Sequence, residues 1–304
     1  MRAALRQELE GLVLPETQWH YDADLGKWSY LQIGAKVPYL AVVKSETDLL
    51  TLTKFLLKKK VEYYVFGGLS NTLFAKENFA GVVILYRVVG PPQLHHDTLL
   101  TASAGTLMSQ AANLSIESGL FGLAEFISLP GTVGGAVYGD AHYDGLLISQ
   151  YLIDLKVFLP GKNKLEHLRC SEFDSSAAYR SHLKDTQAII LEATWELKPD
   201  HQTKLREQAV NATTKRQISQ PLDLPSLGCF WQNPRNISAG FLIDKAGLKG
   251  KKCGGVEVSS KHAAFIVKTG PATAADVLKL AAQVKTAVKK FHQIDLEPEV
   301  VIIK

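Results

Sequence analysis

The sequence is poor in cysteine, in long hydrophobic runs and in net charge. It has three cysteines in 304 residues, at Cys170, Cys229 and Cys253, and no CxxC spacing. A disulfide scaffold or a zinc site is therefore not expected, and a reducing compartment is favoured. No apolar run approaches the roughly 18–20 residues that span a membrane, and the N-terminus lacks the apolar core of a signal peptide. These absences predict a cytoplasmic protein without a metal site and without membrane insertion.

The excess of positive charge is small. The net charge is +4 and the isoelectric point is about 8.8. The densest basic run, Lys58, Lys59 and Lys60, ends a predicted helix, where cations complement the helix dipole. The sequence has no stripe of basic residues of the kind that binds nucleic acid. A small excess of positive charge suits ligands that carry phosphates and carboxylates. With 46% hydrophobic residues over this length, the chain can bury a large core and is long enough for two domains.

Helix-like and strand-like patterns alternate, which predicts a mixed α+β class. Helices are predicted at 45–57, at 105–119 (with apolar spacing at Leu107, Ala111 and Leu114) and from Thr273 onward; strands are predicted at 61–66, 81–86, 152–159, 188–197 and 298–303. In the last helix Thr273 and Asp276 form a capping box. Its apolar face is expected to contain Val277, Leu280, Ala281, Val284, Val288 and Phe291. The polar stretch 198–220 suits a domain boundary or a connecting helix.

Two loops contain more glycine than turns need. The first, at 67–71, reads GGLSN and follows a predicted strand; the second, at 130–137, reads PGTVGGAV. Glycine lets the backbone approach a ligand and point successive N–H groups at an anion. Neither loop has the GxGxxG or Walker A spacing, and each alone could be a tight turn. Two such loops, beside Ser70 and Thr132, favour a shared phosphate or pyrophosphate ligand.

Five segments together form a specific pattern. They read YYVFGGLSNTLFAKENFAGVVIL, GLFGLAEFISLPGTVGGAVYGDA, AAYRSHLKD, QPLDLPSLGCFWQNPRNISAGFLIDKAGLKG and LEPEV. In order and spacing the sequence resembles the UDP-N-acetylenolpyruvoylglucosamine reductase (MurB) family, from about Tyr30 to Ile303. About 35 residues separate Arg180 from Lys215, which leaves no room for an inserted tyrosine-bearing loop. The chain therefore resembles the shorter class of the family.

The resemblance implies a fold of two parts. An FAD-binding region of the vanillyl-alcohol-oxidase (PCMH) type would occupy residues 1–200, in lobes of about 1–90 and 91–200. A C-terminal α+β substrate-binding domain would occupy residues 201–304, and its terminal strand near 297–304 would return to the flavin site. FAD would bind non-covalently, with its pyrophosphate against the two glycine loops. The matching residues are Gly67, Gly68, Ser70, Asn71, Pro130, Gly131, Thr132, Gly134 and Gly135.

The resemblance also implies a reaction. The family reduces UDP-N-acetylglucosamine enolpyruvate to UDP-N-acetylmuramate in peptidoglycan precursor synthesis: NADPH reduces FAD, flavin N5 delivers hydride to C3, and a proton reaches C2. Cys229 would donate that proton, and Arg180 would hold the substrate carboxylate and enolate oxygen through paired hydrogen bonds. Glu299, preferred to Glu297 because it matches the motif, would polarise the group or relay protons. A buried structural thiol and a solvated arginine are the ordinary alternatives.

A further set of residues would bind the substrate. By resemblance it contains Tyr179, Arg180, Lys215, Asn233 and His262. Lys215, with Arg216 and Gln220, could meet the diphosphate or stay solvated. An asparagine before proline could simply form a turn, and a histidine could be structural. The expected partners are the UDP-sugar enolpyruvate and NADPH, and the protein is expected to be a monomer.

The sequence departs from the family pattern at several positions. Leu69 stands where the family usually has glycine, and it is strained if that position needs a positive φ. Asp140 replaces an asparagine, and its charge would weaken FAD binding near the pyrophosphate unless it points away. Two alternatives remain: a non-catalytic relative with weakened FAD binding, and a flavin oxidase of the same fold that attaches FAD through His142. The presence of all three catalytic candidates, Arg180, Cys229 and Glu299, favours the reductase.

Overall fold

The structure, a computed structural model, describes residues 2–88, 90–173, 176–234 and 237–304, without the side chains of residues 2, 3, 176–179 and 181. The helices are α1 (Arg2–Glu10), α2 (Glu46–Lys59), α3 (Met108–Glu117), α4 (Val133–Gly139), α5 (Ser176–Asp185), α6 (Gln202–Ser219), α7 (Ala239–Lys245) and α8 (Ala274–His292). The strands are β1 (Thr17–Asp24), β2 (Lys36–Val43), β3 (Tyr63–Phe66), β4 (Thr72–Phe74), β5 (Val82–Tyr86), β6 (Gln93–His95), β7 (Leu99–Ser103), β8 (Leu120–Phe121), β9 (His142–Tyr143), β10 (Leu146–Leu147), β11 (Leu152–Leu159), β12 (Lys164–Arg169), β13 (Ile189–Glu196), β14 (Lys198–Pro199), β15 (Ser226–Cys229), β16 (Lys252–Cys253), β17 (Val256–Val258), β18 (Phe265–Lys268) and β19 (Val301–Ile303). This content confirms the α+β class.

The chain forms two compact units. Unit 1 contains Met1–Tyr21, Tyr39–Gly67 and Gly81–Val210, and unit 2 contains Asp22–Pro38, Gly68–Ala80 and Asn211–Lys304. The chain passes from one unit to the other within α6, which confirms a connecting helix in the polar stretch 198–220. Residues 22–38 and 68–80, expected in the FAD-binding region, cluster with the C-terminal residues. The functional division into 1–200 and 201–304 stays a prediction.

Unit 1 is built on two sheets. In the first, of order β1-β2-β5-β3, strands β2, β5 and β3 run parallel. The second, of order β12-β11-β13-β7-β6, is antiparallel. The predicted strands at 61–66, 81–86, 152–159 and 188–197 are confirmed as β3, β5, β11 and β13. Because β3 ends at Phe66, the first glycine loop begins at the carboxyl end of a parallel strand, where sheets of this kind bind ligands.

Two helices of unit 1 were predicted from caps and periodicity. Helix α2 begins after Ser45, whose Oγ accepts a hydrogen bond from the Asp48 amide at 3.2 Å. The Asp48 carboxylate is buried and accepts from the Glu16 amide and the Thr17 hydroxyl, each at 2.8 Å. Helix α3 is also confirmed, but Leu107 precedes its first turn and is 50% exposed. The helix therefore begins at Met108, three residues later than predicted, and Leu107 does not take part in its helical spacing.

Unit 2 is built on the antiparallel sheet β15-β18-β17-β16, against which α8 packs. The capping box of α8 is confirmed: Thr273 Oγ1 accepts from the Asp276 amide, and the Asp276 carboxylate accepts from the Thr273 amide. The predicted apolar face is buried except for Phe291, which is 65% exposed. In this last turn His292 takes the inward position, and its Nε2 lies 2.9 Å from the Leu242 carbonyl oxygen.

The terminal strand is shorter than predicted. β19 begins at Val301, not near Pro298, and it pairs in parallel with β4, the strand that follows the first glycine loop. Pro298 forms only an isolated bridge with Trp231, because proline has no amide to donate to a ladder. In the described part of the chain, no helix is long and apolar enough to cross a membrane.

Candidate active site

The two glycine loops meet at Gly67 and Thr132, both in unit 1. A Cβ atom added to Gly67 would overlap the Thr132 hydroxyl and lie 2.9 Å from its methyl carbon. Thr132 is buried and caps α4 with its side chain. The absence of a side chain at Gly67 therefore lets the carboxyl end of β3 lie against the start of α4. The structure brings these two predicted FAD residues into contact.

Glycines in the second loop also serve packing. The Gly134 amide donates to the Ala104 carbonyl oxygen at 2.8 Å, and a Cβ at Gly134 would lie 2.7 Å from the Ala104 side chain. The Gly135 amide donates to Thr132 Oγ1 at 3.4 Å. Gly131 has a φ of 107°, which glycine alone adopts readily. The N–H groups of Gly134 and Gly135 thus form hydrogen bonds within the protein. Gly134 also lets α4 pack closely against Ala104.

The remainder of the first loop belongs to unit 2. Here Gly68, Leu69, Ser70 and Asn71 cluster with the C-terminal residues. Leu69 has a φ of 51° and is buried, so the left-handed conformation that its alignment with glycine suggested is present. Asn71 Nδ2 donates to the Glu299 carbonyl oxygen at 3.3 Å, and the Asn71 carbonyl accepts from the Val301 amide at 3.0 Å. The loop thereby fastens the segment that contains Glu299.

Cys229 and Glu299 are brought together within unit 2. The Glu299 amide donates to the carbonyl oxygen of Phe230, the residue after Cys229, at 2.9 Å. Burial raises the pKa of the Cys229 thiol to about 12, and the charge of Glu299 contributes to the rise, while that of Arg216 opposes it. The thiol is therefore protonated at neutral pH, as a proton donor must be.

The structure separates Glu299 from Glu297. Glu297 is exposed, and its carboxylate pairs with Lys285 Nζ at 2.7 Å. The Glu297 carbonyl oxygen accepts from the Gln232 amide at 2.9 Å. Glu297 therefore forms an ion pair on the surface of unit 2. Of the two carboxylates, Glu299 is the one whose charge raises the pKa of the Cys229 thiol.

Arg180 lies in α5 of unit 1. It is half-buried, and its Nε is buried without a hydrogen-bond partner among the residues the structure describes. Helix α5 packs against α4. Burial raises the pKa of Tyr138 in α4, and the nearby charge of Arg180 partly offsets that rise. Arg180 thus has a donor available for an anion. The side chain of Tyr179, a predicted substrate residue, lies outside the described residues.

Two neighbouring cations at the end of α6 differ in their surroundings. Lys215 is exposed, whereas Arg216 is half-buried and its Nε donates to Gln220 Oε1 at 3.1 Å. The charge of Arg216 acts on the Cys229 thiol. Arg216 is therefore the cation that the structure associates with Cys229, and the predicted role of Lys215 at the substrate stays a prediction.

Asn233 and His262 each lie beside the first turn of α7. Asn233 Oδ1 accepts from the Ala239 amide at 2.9 Å. A Cβ at the next residue, Gly240, would lie 3.2 Å from Cε1 of His262. The carbonyl oxygen of the Asn233 side chain therefore helps to cap the first turn of α7, while its amide NH₂ group is not involved in that bond. Its predicted part in substrate binding stays a prediction.

Sequence reasoning missed Tyr138, which lies near Arg180 in unit 1, and Gly240, which lies near His262 in unit 2. It named Arg216 only as a possible contact of the diphosphate, not as a residue beside Cys229. Tyr138 follows the PGTVGGAV segment directly, so its position beside that loop could have drawn attention. Gly240 gave no usable signal, because its importance depends on His262, which is distant in sequence.

Two family models match the chain. The FAD binding domain matches residues 37–168, and the C-terminal domain of UDP-N-acetylenolpyruvoylglucosamine reductase matches residues 220–303. The UDP-N-acetylenolpyruvoylglucosamine reductase of Synechococcus sp. (strain RCC307) is 34% identical over 281 residues, which are 92% of each chain. That of Streptococcus suis (strain 05ZYH33) is 32% identical over 304 residues, which are 100% of this chain and 98% of that protein.

A solved structure agrees with these matches. The crystal structure of UDP-N-acetylenolpyruvylglucosamine reductase (MurB) from Thermus caldophilus is similar with a TM-score of 0.75 and 27% identity, covering 95% of this chain and 99% of that one. The resemblance and the FAD-binding fold inferred from sequence are thereby confirmed. The chain belongs to the UDP-N-acetylenolpyruvoylglucosamine reductase family.

Proposed function

We propose that this chain reduces UDP-N-acetylglucosamine enolpyruvate to UDP-N-acetylmuramate, with non-covalently bound FAD and with NADPH as electron source, in peptidoglycan precursor synthesis. Family membership supports the reaction class. The observation on which the proposal rests is the hydrogen bond between Glu299 and Phe230, which holds a carboxylate segment beside the protonated Cys229 thiol. A cytoplasmic location and a monomeric state are further parts of the proposal.

The residues around the glycine loops fit FAD. Because glycine has no side chain, Gly67 can lie directly against Thr132 of the second loop. The backbone at such a junction can approach a pyrophosphate closely. Within unit 1, the proposed pyrophosphate site contains Gly67, Pro130, Gly131 and Thr132. The other residues that the resemblance assigns to FAD stay a prediction: Gly68, Ser70, Asn71, Gly134 and Gly135. FAD, when bound, supplies the hydride for the enolpyruvyl group.

Cys229 supplies the proton in the proposed reaction. Its raised pKa keeps the thiol protonated before the reaction. After the proton has moved to substrate C2, the thiolate is unstable beside the charge of Glu299, which favours its rapid reprotonation. The charge of Arg216 lowers the thiol pKa and so eases the first transfer. Glu299 thus raises the pKa of the Cys229 thiol, and Arg216 lowers it.

Arg180 binds the developing negative charge of the substrate. A guanidinium binds carboxylate and enolate oxygens through parallel N–H donors, and the unpartnered Nε of Arg180 supports this role. Removal of a donor of this kind costs roughly 10²–10³ in rate. Tyr179, Lys215, Asn233 and His262 belong to the proposed substrate site, and Arg216 is added to them.

The proposal is tested with purified protein under anaerobic conditions. We expect a flavin spectrum that NADPH bleaches and that the UDP-sugar enolpyruvate restores. Cys229→Ala should lose the second step while keeping the first. Glu299→Gln should slow the second step, and its matched control, Glu297→Gln, should not, since Glu297 pairs with Lys285 at the surface.

Three outcomes would contradict the proposal. A colourless protein that takes up no FAD would support a non-catalytic relative. Reduced flavin that oxygen reoxidises rapidly and that the sugar nucleotide does not reoxidise would support an oxidase. Full substrate reduction by Cys229→Ala would remove Cys229 as the proton donor.

A further inference from the structure

The strand that ends at Cys229 contains a bulge. β15 pairs with β18 in antiparallel register, and Ser226 lies opposite Val267, whereas Cys229 lies opposite Phe265. Three steps along β15 thus correspond to two steps along β18, so β15 contains one residue more than a regular ladder accommodates. A β-bulge of this kind bends its strand and changes the direction of the side chains that follow it.

The pairing shows which face of the sheet carries Cys229. Val258 of β17 lies opposite Ile266 of β18, and both side chains belong to the core that contains the buried face of α8. Successive side chains of a strand point to opposite faces, so Phe265 points away from this core. Cys229 lies opposite Phe265 and therefore shares its face. The thiol is thus on the side of the sheet that α8 does not cover.

A regular strand of the same sequence would turn Cys229 into the α8 core. Continued from Ser226 without a bulge, the ladder would place Cys229 opposite Ala264, on the core face. Leu227 and Phe230 both belong to the α8 core although they are three residues apart, a spacing that regular alternation assigns to opposite faces. The extra residue therefore allows both of them to be buried while Cys229 faces the other side.

Gly228 has the conformation that the bulge needs. Its φ is 77°, in the left-handed region that glycine adopts readily and that residues with a side chain rarely adopt. One common type of bulge has glycine in this conformation as its first residue. A Cβ atom at Gly228 would meet nothing within 4 Å among the described residues. The backbone conformation, not a lack of space, is therefore what favours glycine here.

The backbone after the bulge is fixed on both sides. The Phe230 amide donates to the Ala264 carbonyl oxygen at 2.8 Å, and the Phe230 carbonyl oxygen accepts from the Glu299 amide at 2.9 Å. Cys229 thus lies between the bulge and a residue whose amide and carbonyl are both bonded. With that end held, the direction of the thiol depends on the conformation of Gly228.

We propose that Gly228 is the positioning residue for Cys229: its left-handed conformation forms the bulge that turns the thiol away from the α8 core and towards the Glu299 segment. The proposal rests on the proposed function for the role of Cys229 as proton donor. It requires that any residue at position 228 tolerate a positive φ. A reacting group misplaced by about 1 Å can cost roughly 10² in rate.

Valine and asparagine at position 228 separate conformation from the mere presence of a side chain. A β-branched residue fits a positive φ poorly, whereas asparagine tolerates it. Gly250→Val is the matched control, because Gly250 is also in unit 2, has a φ of 75° and has an equally open Cβ position. Stopped-flow spectroscopy of the FAD-loaded full-length protein measures flavin reduction by NADPH and reoxidation by the UDP-sugar enolpyruvate.

A second measurement needs no substrate. Iodoacetamide modification of Cys229, followed by mass spectrometry, is compared with and without Glu299→Gln. Because the Glu299 charge raises the pKa of the thiol, Glu299→Gln should speed the modification about three- to tenfold where the thiol lies beside Glu299. The ratio of the two rates therefore reports whether Cys229 is in its native position.

We expect Gly228→Val to slow flavin reoxidation at least about tenfold while NADPH reduces the flavin at the wild-type rate. In this variant Glu299→Gln should change the modification rate less than about twofold, because the thiol has left the Glu299 segment. Gly228→Asn should keep both properties of the wild type. Gly250→Val should lower the midpoint of urea denaturation and leave both properties unchanged.

Three results would overturn the inference. One is a Gly228→Val protein that loses stability but keeps fast reoxidation and the effect of Glu299→Gln. Another is equal loss in Gly228→Asn and Gly228→Val, because a side chain of any kind would then be the cause. The third is a wild type in which Glu299→Gln does not change the modification rate. If Gly228→Val does not fold, Gly228→Ala, which is less strained, replaces it with the same expected directions.

Failure of the proposed function gives a different result. Wild-type protein whose reduced flavin is not reoxidised by the UDP-sugar enolpyruvate would reject that function. The effect of Glu299→Gln on Cys229 would still test Gly228, since the modification needs neither substrate nor turnover. The two failures are therefore distinguishable.

Discussion

The backbone amide of Glu299 donates a hydrogen bond of 2.9 Å to the carbonyl oxygen of Phe230. Since Phe230 follows Cys229 directly, this bond keeps the Glu299 segment beside the thiol. Burial and then the Glu299 charge raise the pKa of Cys229 to about 12. An acid with so high a pKa keeps its proton until a strongly basic carbon is generated next to it, which matches the proposed reaction.

The first prediction concerns the reactivity of this thiol. Because the thiolate is the reactive form, iodoacetamide should modify Cys229 slowly at neutral pH. The rate should increase with pH up to the thiol pKa of about 12. Glu299→Gln should lower the pKa and speed the reaction about three- to tenfold, whereas Arg216→Gln should slow it. Mass spectrometry follows the modification at Cys229 itself.

Two results would contradict this prediction. One is a rate in the wild type that levels off near the ordinary thiol pKa of about 8.5. The other is an equal rate in Glu299→Gln and the wild type. Glu297→Gln is the control, and its rate should not change because Glu297 is paired with Lys285.

The second prediction concerns the junction of the glycine loops. Gly67→Ala would place a methyl group on the Thr132 hydroxyl, and overpacking of this kind costs typically about 1–3 kcal/mol. We expect the affinity for FAD to fall at least about tenfold, measured by fluorescence titration of the apoprotein. Adding Thr132→Ala to Gly67→Ala should recover part of it. Gly139→Ala, where a Cβ meets nothing within 4 Å, is the control and should bind FAD normally.

Local features of the fold were predictable from the sequence. The α8 capping box needs only Thr273 and Asp276 at their spacing, and a buried parallel strand such as β5 shows as a short run of Val, Ile, Leu and Tyr without polar alternation. The resemblance added the site residues, but it could not choose between the adjacent Lys215 and Arg216. Their roles differ because successive residues of a helix point about 100° apart, so only one of them faces Cys229.

Contacts between distant parts of the chain were not predictable. The hydrogen bond from Asn71 to Glu299 joins residues 228 positions apart, and no local pattern encodes it. The pairing of Gly240 with His262 is of the same kind. Phe291 fits the helical period of α8 but is exposed, whereas the ring of the neighbouring His292 lies 2.9 Å from a backbone carbonyl oxygen of α7.

The third prediction weighs strain against burial at Leu69. A left-handed conformation costs an ordinary residue roughly 1–2 kcal/mol, whereas truncation of a buried leucine costs about 2–5 kcal/mol. Leu69 has both a φ of 51° and a buried side chain. The stabilisation from burial exceeds the cost of the strain, so Leu69→Gly should lower the free energy of unfolding by about 1–3 kcal/mol even though it restores the family residue.

Leu69→Ala provides the matched comparison. It loses the buried side chain and keeps the strain, so it should be less stable than Leu69→Gly by about 1 kcal/mol in urea denaturation. Alanine ordinarily stabilises a chain relative to glycine. If Leu69→Ala is the more stable variant, the left-handed conformation costs leucine nothing at this position.

The fourth prediction concerns Asp140, which ends α4 with a φ of 50°. It is 5% exposed, and its Oδ1 is buried without a partner among the described residues. Asparagine keeps the shape, tolerates this conformation and removes a charge from the negative end of the helix. Asp140→Asn should therefore raise the free energy of unfolding by about 1 kcal/mol, measured in urea, whereas Asp140→Ala should not.

FAD affinity should change less than about twofold in Asp140→Asn, because the seven residues of α4 separate Asp140 from the Thr132 cap, about 12 Å at the rise of an α-helix. At this distance the charge of Asp140 should act only weakly on a pyrophosphate bound at the loop. Tenfold tighter FAD binding in Asp140→Asn would show instead that the charge reaches the cofactor. A loss of stability would show that the carboxylate is compensated by a charge or donor that asparagine cannot use.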